Sequence, residues 1–322
     1  MNITAEPDKI VRLAAMECST SCVMTGLKLT GRNERLLLLN QWYLQYAYQT
    51  LLSSKNVRML DLEFLYGIRK EWKQSGAMEL RLRLTADHLV LLLCVPSLLD
   101  HFPRHLLTLE EAGFDHYLLL TGFNQATGRF RAVDPITGFI GELSAEQLER
   151  ASVKSDSLQY FMMQFPEDGT FAQPDLQTIF FHEAQQNLSL YLEQDKHTGS
   201  QALERFAQDL ADCAHWQEGA RTSFIRQNNI TISSIVRMRE LVWSSYRELG
   251  LMSAEHMEQG NSKAAAIAKN WMAVNFLLIK YSRQSGDSTV IDKITHKLTD
   301  IRHSELEFLQ FIYAIGRELC ES

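Results

Sequence analysis

Helical and strand-like patterns mix in the first half of this chain, and the strand signals stop near Pro174, after which only helical spacing remains. That change limits the architecture to a mixed α+β region followed by a helical one. Before it, strand-like runs occur at His88–Val95, His116–Phe123, Arg129–Val133 and Leu158–Phe165. Helical patterns occur at Cys18–Leu29, Glu34–Leu52 and Asp61–Gln74, the last with Leu62, Phe64, Leu65, Ile68 and Trp72 as its apolar positions. Ser144 followed by Gln147 has the spacing of a capping box. Beyond Pro174, helical periodicity marks Asp175–Gln194, Ser200–Gln217, Ser223–Leu249, Ser262–Arg283 and Thr289–Leu319, separated by glycine-containing breaks. The expected fold class is α+β: helices packed on a mostly antiparallel sheet over residues 1–168, then an all-helical domain over 174–322. The bundle is expected to bury Trp216, Trp243, Trp271 and Phe276.

With 322 residues, the chain can form one large domain or two moderate ones. Its net charge of -7 and the lack of a basic stripe with interleaved aromatics give no support for nucleic-acid binding. Five scattered cysteines do not make a disulfide framework, so free thiols in a reducing compartment are expected. No apolar run reaches the length of a membrane span, and the first residues lack the apolar core of a secretory signal. A cytoplasmic protein is expected.

Chemistry concentrates around one hairpin. Two strands joined by Gln125-Ala126-Thr127-Gly128 place His116 at the start of the first and Asp134 at the end of the second. Adjacent strands lie about 4.8 Å apart, so an imidazole and a carboxylate can meet there. Asp134 could equally cap the turn that Pro135 introduces. The pair lacks a nucleophile, and Cys18 and Cys22 offer one upstream. Four residues apart, they share one helix face. Cys18 lies nearer the helix start, where unpaired N–H groups favour a thiolate. In a Cys-His-Asp arrangement the histidine takes the thiol proton and the aspartate orients the ring. Cysteine-based acyl chemistry is the resulting hypothesis.

Other chemistries find less in the sequence. His101 and His105 are four apart, but no glutamate follows His101 to complete a zincin motif. No cysteine pair has zinc-finger spacing, and neither a Walker loop nor a dinucleotide fingerprint is present.

The chain resembles the butirosin biosynthesis protein H family of the papain-like cysteine peptidase superfamily. The resemblance is carried by Asp115-His116-Tyr117-Leu118-Leu119-Leu120-Thr121-Gly122-Phe123, then Ala132-Val133-Asp134-Pro135, and Leu143 to Leu148. Cys18 with Gly31 and Glu34 is similar to that family's cysteine-led opening. The likeness covers roughly residues 15–165, and Gly199 to Ala207 with Trp216 more weakly resembles its downstream domain. It implies a papain-like domain in which Cys18 attacks a thioester, His116 serves as base and acid, and Asp134 orients it. The implied donor is a phosphopantetheine thioester on an acyl or peptidyl carrier protein, with no bound cofactor, and the acceptor an amine-bearing small molecule. Secondary-metabolite biosynthesis is the implied setting. No glutamine precedes Cys18, unlike many papain-like enzymes, which place one there to bind the oxyanion. Hydrolysis of a thioester or peptide is the alternative chemistry, and a non-catalytic papain-like scaffold the alternative role.

Overall fold

A computed structural model describes residues 3, 5–14, 17–53, 59–84, 88–104, 107, 115–153, 157–167, 169–193, 197–283 and 288–321. Along the chain, α1 spans Cys18–Leu29, β1 Gln45–Ala47, β2 Thr50–Leu52, α2 Met59–Tyr66, β3 Arg69–Ser75 and α3 Ala77–Arg83. Next come β4 His88–Cys94, β5 His116–Asn124, β6 Arg129–Asp134, β7 Phe139–Leu143, α4 Ala145–Arg150 and β8 Leu158–Gln164. The helices α5 Leu176–Leu192, α6 Gly199–Asp212, α7 Glu218–Glu248, α8 Ala254–Arg283 and α9 Ser288–Glu321 follow. The architecture is a mixed α+β region with an antiparallel sheet, then a mostly helical region. Two compact units divide the chain: Met1–Leu37 with Asn56–Pro174, and Leu38–Lys55 with Asp175–Ser322.

The first unit is built on a six-stranded sheet ordered β3-β8-β4-β5-β6-β7, with every neighbouring pair antiparallel. The apolar run of β4 is buried along nearly its whole length, as befits a central strand covered on both faces. One core joins Val90, Leu92, Leu118, Leu120, Phe130 and Tyr160 of the sheet to Ala77, Leu80 and Leu148 of α3 and α4. The Ser144–Gln147 capping box starts α4, with both reciprocal hydrogen bonds formed.

Helix α1 packs against β5 and β4, and residues Ser19 through Leu27 are all buried. Small side chains allow that burial. A Cβ at Gly26 would stand 2.8 Å from Leu89 Cδ1 and 3.2 Å from Met163 Cε. Gly26→Val is therefore expected to destabilise the protein by about 1–3 kcal/mol through overpacking, read as a lowered urea midpoint. An unchanged midpoint would contradict this tight helix–sheet contact.

Two helical expectations fail in the early chain. Glu34–Leu52 does not form one helix: a 3-10 segment over Glu34–Asn40 is followed by the β1–β2 hairpin. The hairpin turns on Tyr48 and Gln49, with φ of 51° and 57°, the backbone of a two-residue primed turn. Asn228 anchors it in the helical unit, accepting from Leu51 N–H at 2.9 Å and donating to the Gln49 carbonyl at 2.9 Å. Asp61–Gln74 likewise divides into α2 and β3 at Gly67, whose φ of 66° ends the helix.

In the second unit, α8 buries Trp271, Val274, Leu278 and Tyr281, a stripe at helical spacing. Trp243 is buried as well. Phe276, expected in the core, is 71% exposed because it falls on the opposite side of that stripe, as does the half-exposed Met272. Among the described residues, no helix is long and apolar enough to cross a membrane.

Candidate active site

The candidate site belongs wholly to the first unit. His116 opens β5 and Asp134 closes β6, so the antiparallel pairing puts both at one end of the hairpin. Nε2 of His116 lies 3.0 Å from Oδ2 of Asp134. Both are buried. Cys18, the first residue of α1, is partly exposed and close enough to the His116 imidazole to help raise its proton affinity. The three sequence-selected residues therefore come together.

Cys22 has a different environment. It is fully buried, one turn along α1, with its thiol donating to the Tyr117 carbonyl at 3.4 Å. Burial, then the nearby Cys18 and Asp134, pushes this thiol well above the ordinary range. Cys94, paired with His116 in the β4–β5 register, donates to the His116 carbonyl at 3.4 Å. It too is raised by burial. Both behave as small core residues with an inert thiol.

Asp134 both meets His116 and caps the following turn, one with each oxygen. Oδ1 accepts from the Ile136 N–H at 3.0 Å and the Thr137 N–H at 3.4 Å, making the turn that leads to β7. Oδ2 accepts from His116 and also from His101 Nε2, 3.2 Å away. Burial opposes ionisation of this carboxyl, yet the hydrogen bonds from His101 and His116 hold it far below the usual carboxylate range. Burial likewise opposes the imidazolium of His116. Hydrogen bonds to Asp134 and Cys18, with their charges, outweigh it and push the ring up to about 9.

His101 is the residue that sequence reasoning missed. Its four-residue spacing from His105 drew attention only as a possible metal pair, and His105 lies outside the described residues. Its ring stacks on Phe139 at 4.0 Å between centroids, while Phe102 sets its edge against His116 at 4.8 Å. Among the described residues, no group of three or more His, Cys, Asp or Glu side chains is arranged to hold a metal ion.

The shifts of His116 and Asp134 have opposite signs and bound a pH window. His116 is raised, so its stabilising contribution is complete below its ordinary value of 6.5 and is lost as pH climbs through about 9. Asp134 is depressed, so its contribution is present above 3.8 and is lost as pH falls towards its folded value. The thermal midpoint of the wild-type protein should exceed that of Asp134→Asn most between about pH 4 and 6.5, with the gap narrowing on both sides. A gap independent of pH would contradict the pairing of these two groups.

No protein-family model matches the chain, and comparison with curated proteins finds no match.

Proposed function

We propose that the protein is a cysteine-dependent acyltransferase that moves an acyl group from a carrier-protein thioester to an amine. The observation carrying this reading is the buried His116–Asp134 hydrogen bond beside a partly exposed Cys18 that acts on the imidazole. The resemblance of residues 15–165 to the butirosin biosynthesis protein H family supplies the thioester donor and the amine acceptor.

The residues support a two-step exchange. In the first step the Cys18 thiolate attacks the thioester carbonyl, while the imidazolium of His116 stays paired with Asp134. The carbon–sulfur bond to phosphopantetheine breaks, and the departing thiolate takes the proton from His116. A thiolate leaves readily, so this step asks little of the acid. Leading N–H groups of α1, which have no intrahelical acceptor, support the oxyanion in place of the absent glutamine.

Acylation then changes the base. Cys18 helps hold the proton on His116 through both polar contact and charge. An acylated sulfur supplies neither in the same measure, so the proton affinity of His116 falls. The neutral ring can now accept a proton from the incoming amine as nitrogen attacks the acyl carbon. The amide leaves, the proton taken from the amine stays on His116, and the sulfur of Cys18 is free for another donor. Asp134, fixed by two backbone N–H groups, keeps the Nε2–H of His116 directed to itself.

The test supplies a carrier-bound acyl thioester with a panel of amines and quantifies amide against free acid. Amide formation that rises with amine concentration and vanishes in Cys18→Ala is expected. Release of free acid undiminished at saturating amine would replace this reading with hydrolysis. No turnover with any thioester would favour the scaffold role.

A further inference from the structure

His101 occupies a place that the Cys-His-Asp series does not require. Its Nε2 lies 3.2 Å from Oδ2 of Asp134, the same oxygen that His116 engages at 3.0 Å. An ionised carboxylate oxygen can only accept, so both rings must present Nε2–H to it. Stacking on Phe139 fixes the plane of His101, and its side chain keeps 13% exposure where Asp134 has none. One charged oxygen is therefore divided between two imidazoles.

We infer that His101 is a positioning residue of the proposed acyl-transfer site, acting through Asp134 to temper how firmly His116 holds its proton. This rests on the reading of Cys18, His116 and Asp134 given above. A carboxylate serving one imidazole alone would bind the His116 proton more tightly and return the ring less readily to its neutral, amine-accepting form. Sharing Oδ2 lowers that grip, while the second donor also keeps Asp134 ionised and unable to take the proton itself. The other titratable groups facing this cluster are Cys18 and Cys22 of α1, Cys94 of β4, Asp115 just before β5 and Tyr117 within it. Along its own loop, Asp100 is engaged by Arg150 at 3.2 Å. None of these groups offers Asp134 a second hydrogen-bond donor in place of His101.

The experiment follows histidine ring signals by NMR in the full-length protein without substrate. In the wild type, long-range proton–nitrogen spectra should show both His101 and His116 protonated at Nε2. An Nδ1–H tautomer for His101 overturns the inference without any variant. His101→Phe keeps an aromatic ring against Phe139 but removes the donor. It should raise the titration midpoint of His116 by about one unit, with the pH profile of Cys18 alkylation by iodoacetamide moving in parallel. His101→Gln, which restores a neutral donor, should recover part of that shift. A His116 midpoint unmoved in His101→Phe would reduce His101 to packing. These readouts come from the free protein, so failure of acyl transfer itself would register separately, as absence of product in the wild type.

Discussion

His116→Ala is expected to slow acyl transfer by about 10²–10⁴-fold, the range lost with a positioned acid–base group. The loss has two sources that separate experimentally. Without the imidazole, the Cys18 thiol has no buried cation beside it, so its alkylation at neutral pH should slow. The amine in the second half-reaction also has no base, so acyl-enzyme should persist longer before aminolysis. Cys22→Ala is the matched control. Its sulfur is fully buried and bonded to the Tyr117 carbonyl, and its removal should leave both rates within a few-fold. Alkylation and transfer unaffected in His116→Ala would mean that the thiol acts without this histidine.

Glu305→Ala should cost about 3–5 kcal/mol, the largest stability effect expected in the helical unit. Glu305 of α9 is fully buried, and its two oxygens receive Arg239 Nε at 2.8 Å and Nη2 at 3.1 Å. Trp271 Nε1 adds a third donor at 2.8 Å. Arg239 of α7 is also buried; it donates to the Tyr43 carbonyl at 3.2 Å and stands 4.6 Å over the Trp42 ring. Trp42 in turn stacks on Phe308 at 4.6 Å. One ion pair thus ties α7, α8, α9 and the segment leading into β1. Removing only the carboxylate strands a guanidinium where water cannot reach it. Replacing both partners, as in Arg239→Met with Glu305→Leu, should recover most of the loss, because a packed apolar pair carries no desolvation penalty. Urea unfolding of the single and double variants measures the difference. A Glu305→Ala cost below about 1 kcal/mol would contradict the buried pairing.

Elements with strong local signals were legible in the sequence. Cys18–Leu29 was readable as a helix and is one. His116 and Asp134 could be placed at one end of a hairpin because apolar strands and a glycine turn bracket them. Ser144 and Gln147 announced the start of α4 by side-chain chemistry alone. Hidden features depended on tertiary context. Tyr48 and Gln49 adopt left-handed backbone without the glycine or asparagine that normally marks such a turn, so the β1–β2 hairpin passed as helix. In β3, an edge strand, Lys70 and Ser75 are the most buried residues and Trp72 is half-exposed, so alternation was masked by a fortuitous helical spacing from Leu62 onward. Phe276 looked like core by type, and only the phase of α8 places it outside. His101 had no local signal at all: a loop carries it to Asp134, and one histidine in a loop specifies nothing until its partner is known.

The most direct test exposes the protein to an acyl-pantetheine thioester without an amine, then locates the added mass by intact-protein and peptide mass spectrometry. A single acyl group on Cys18 is expected, absent in Cys18→Ala, retained in Cys22→Ala and discharged when amine is added. Product formation with the acyl group carried on another residue, or with no covalent acyl-enzyme at all, would contradict it.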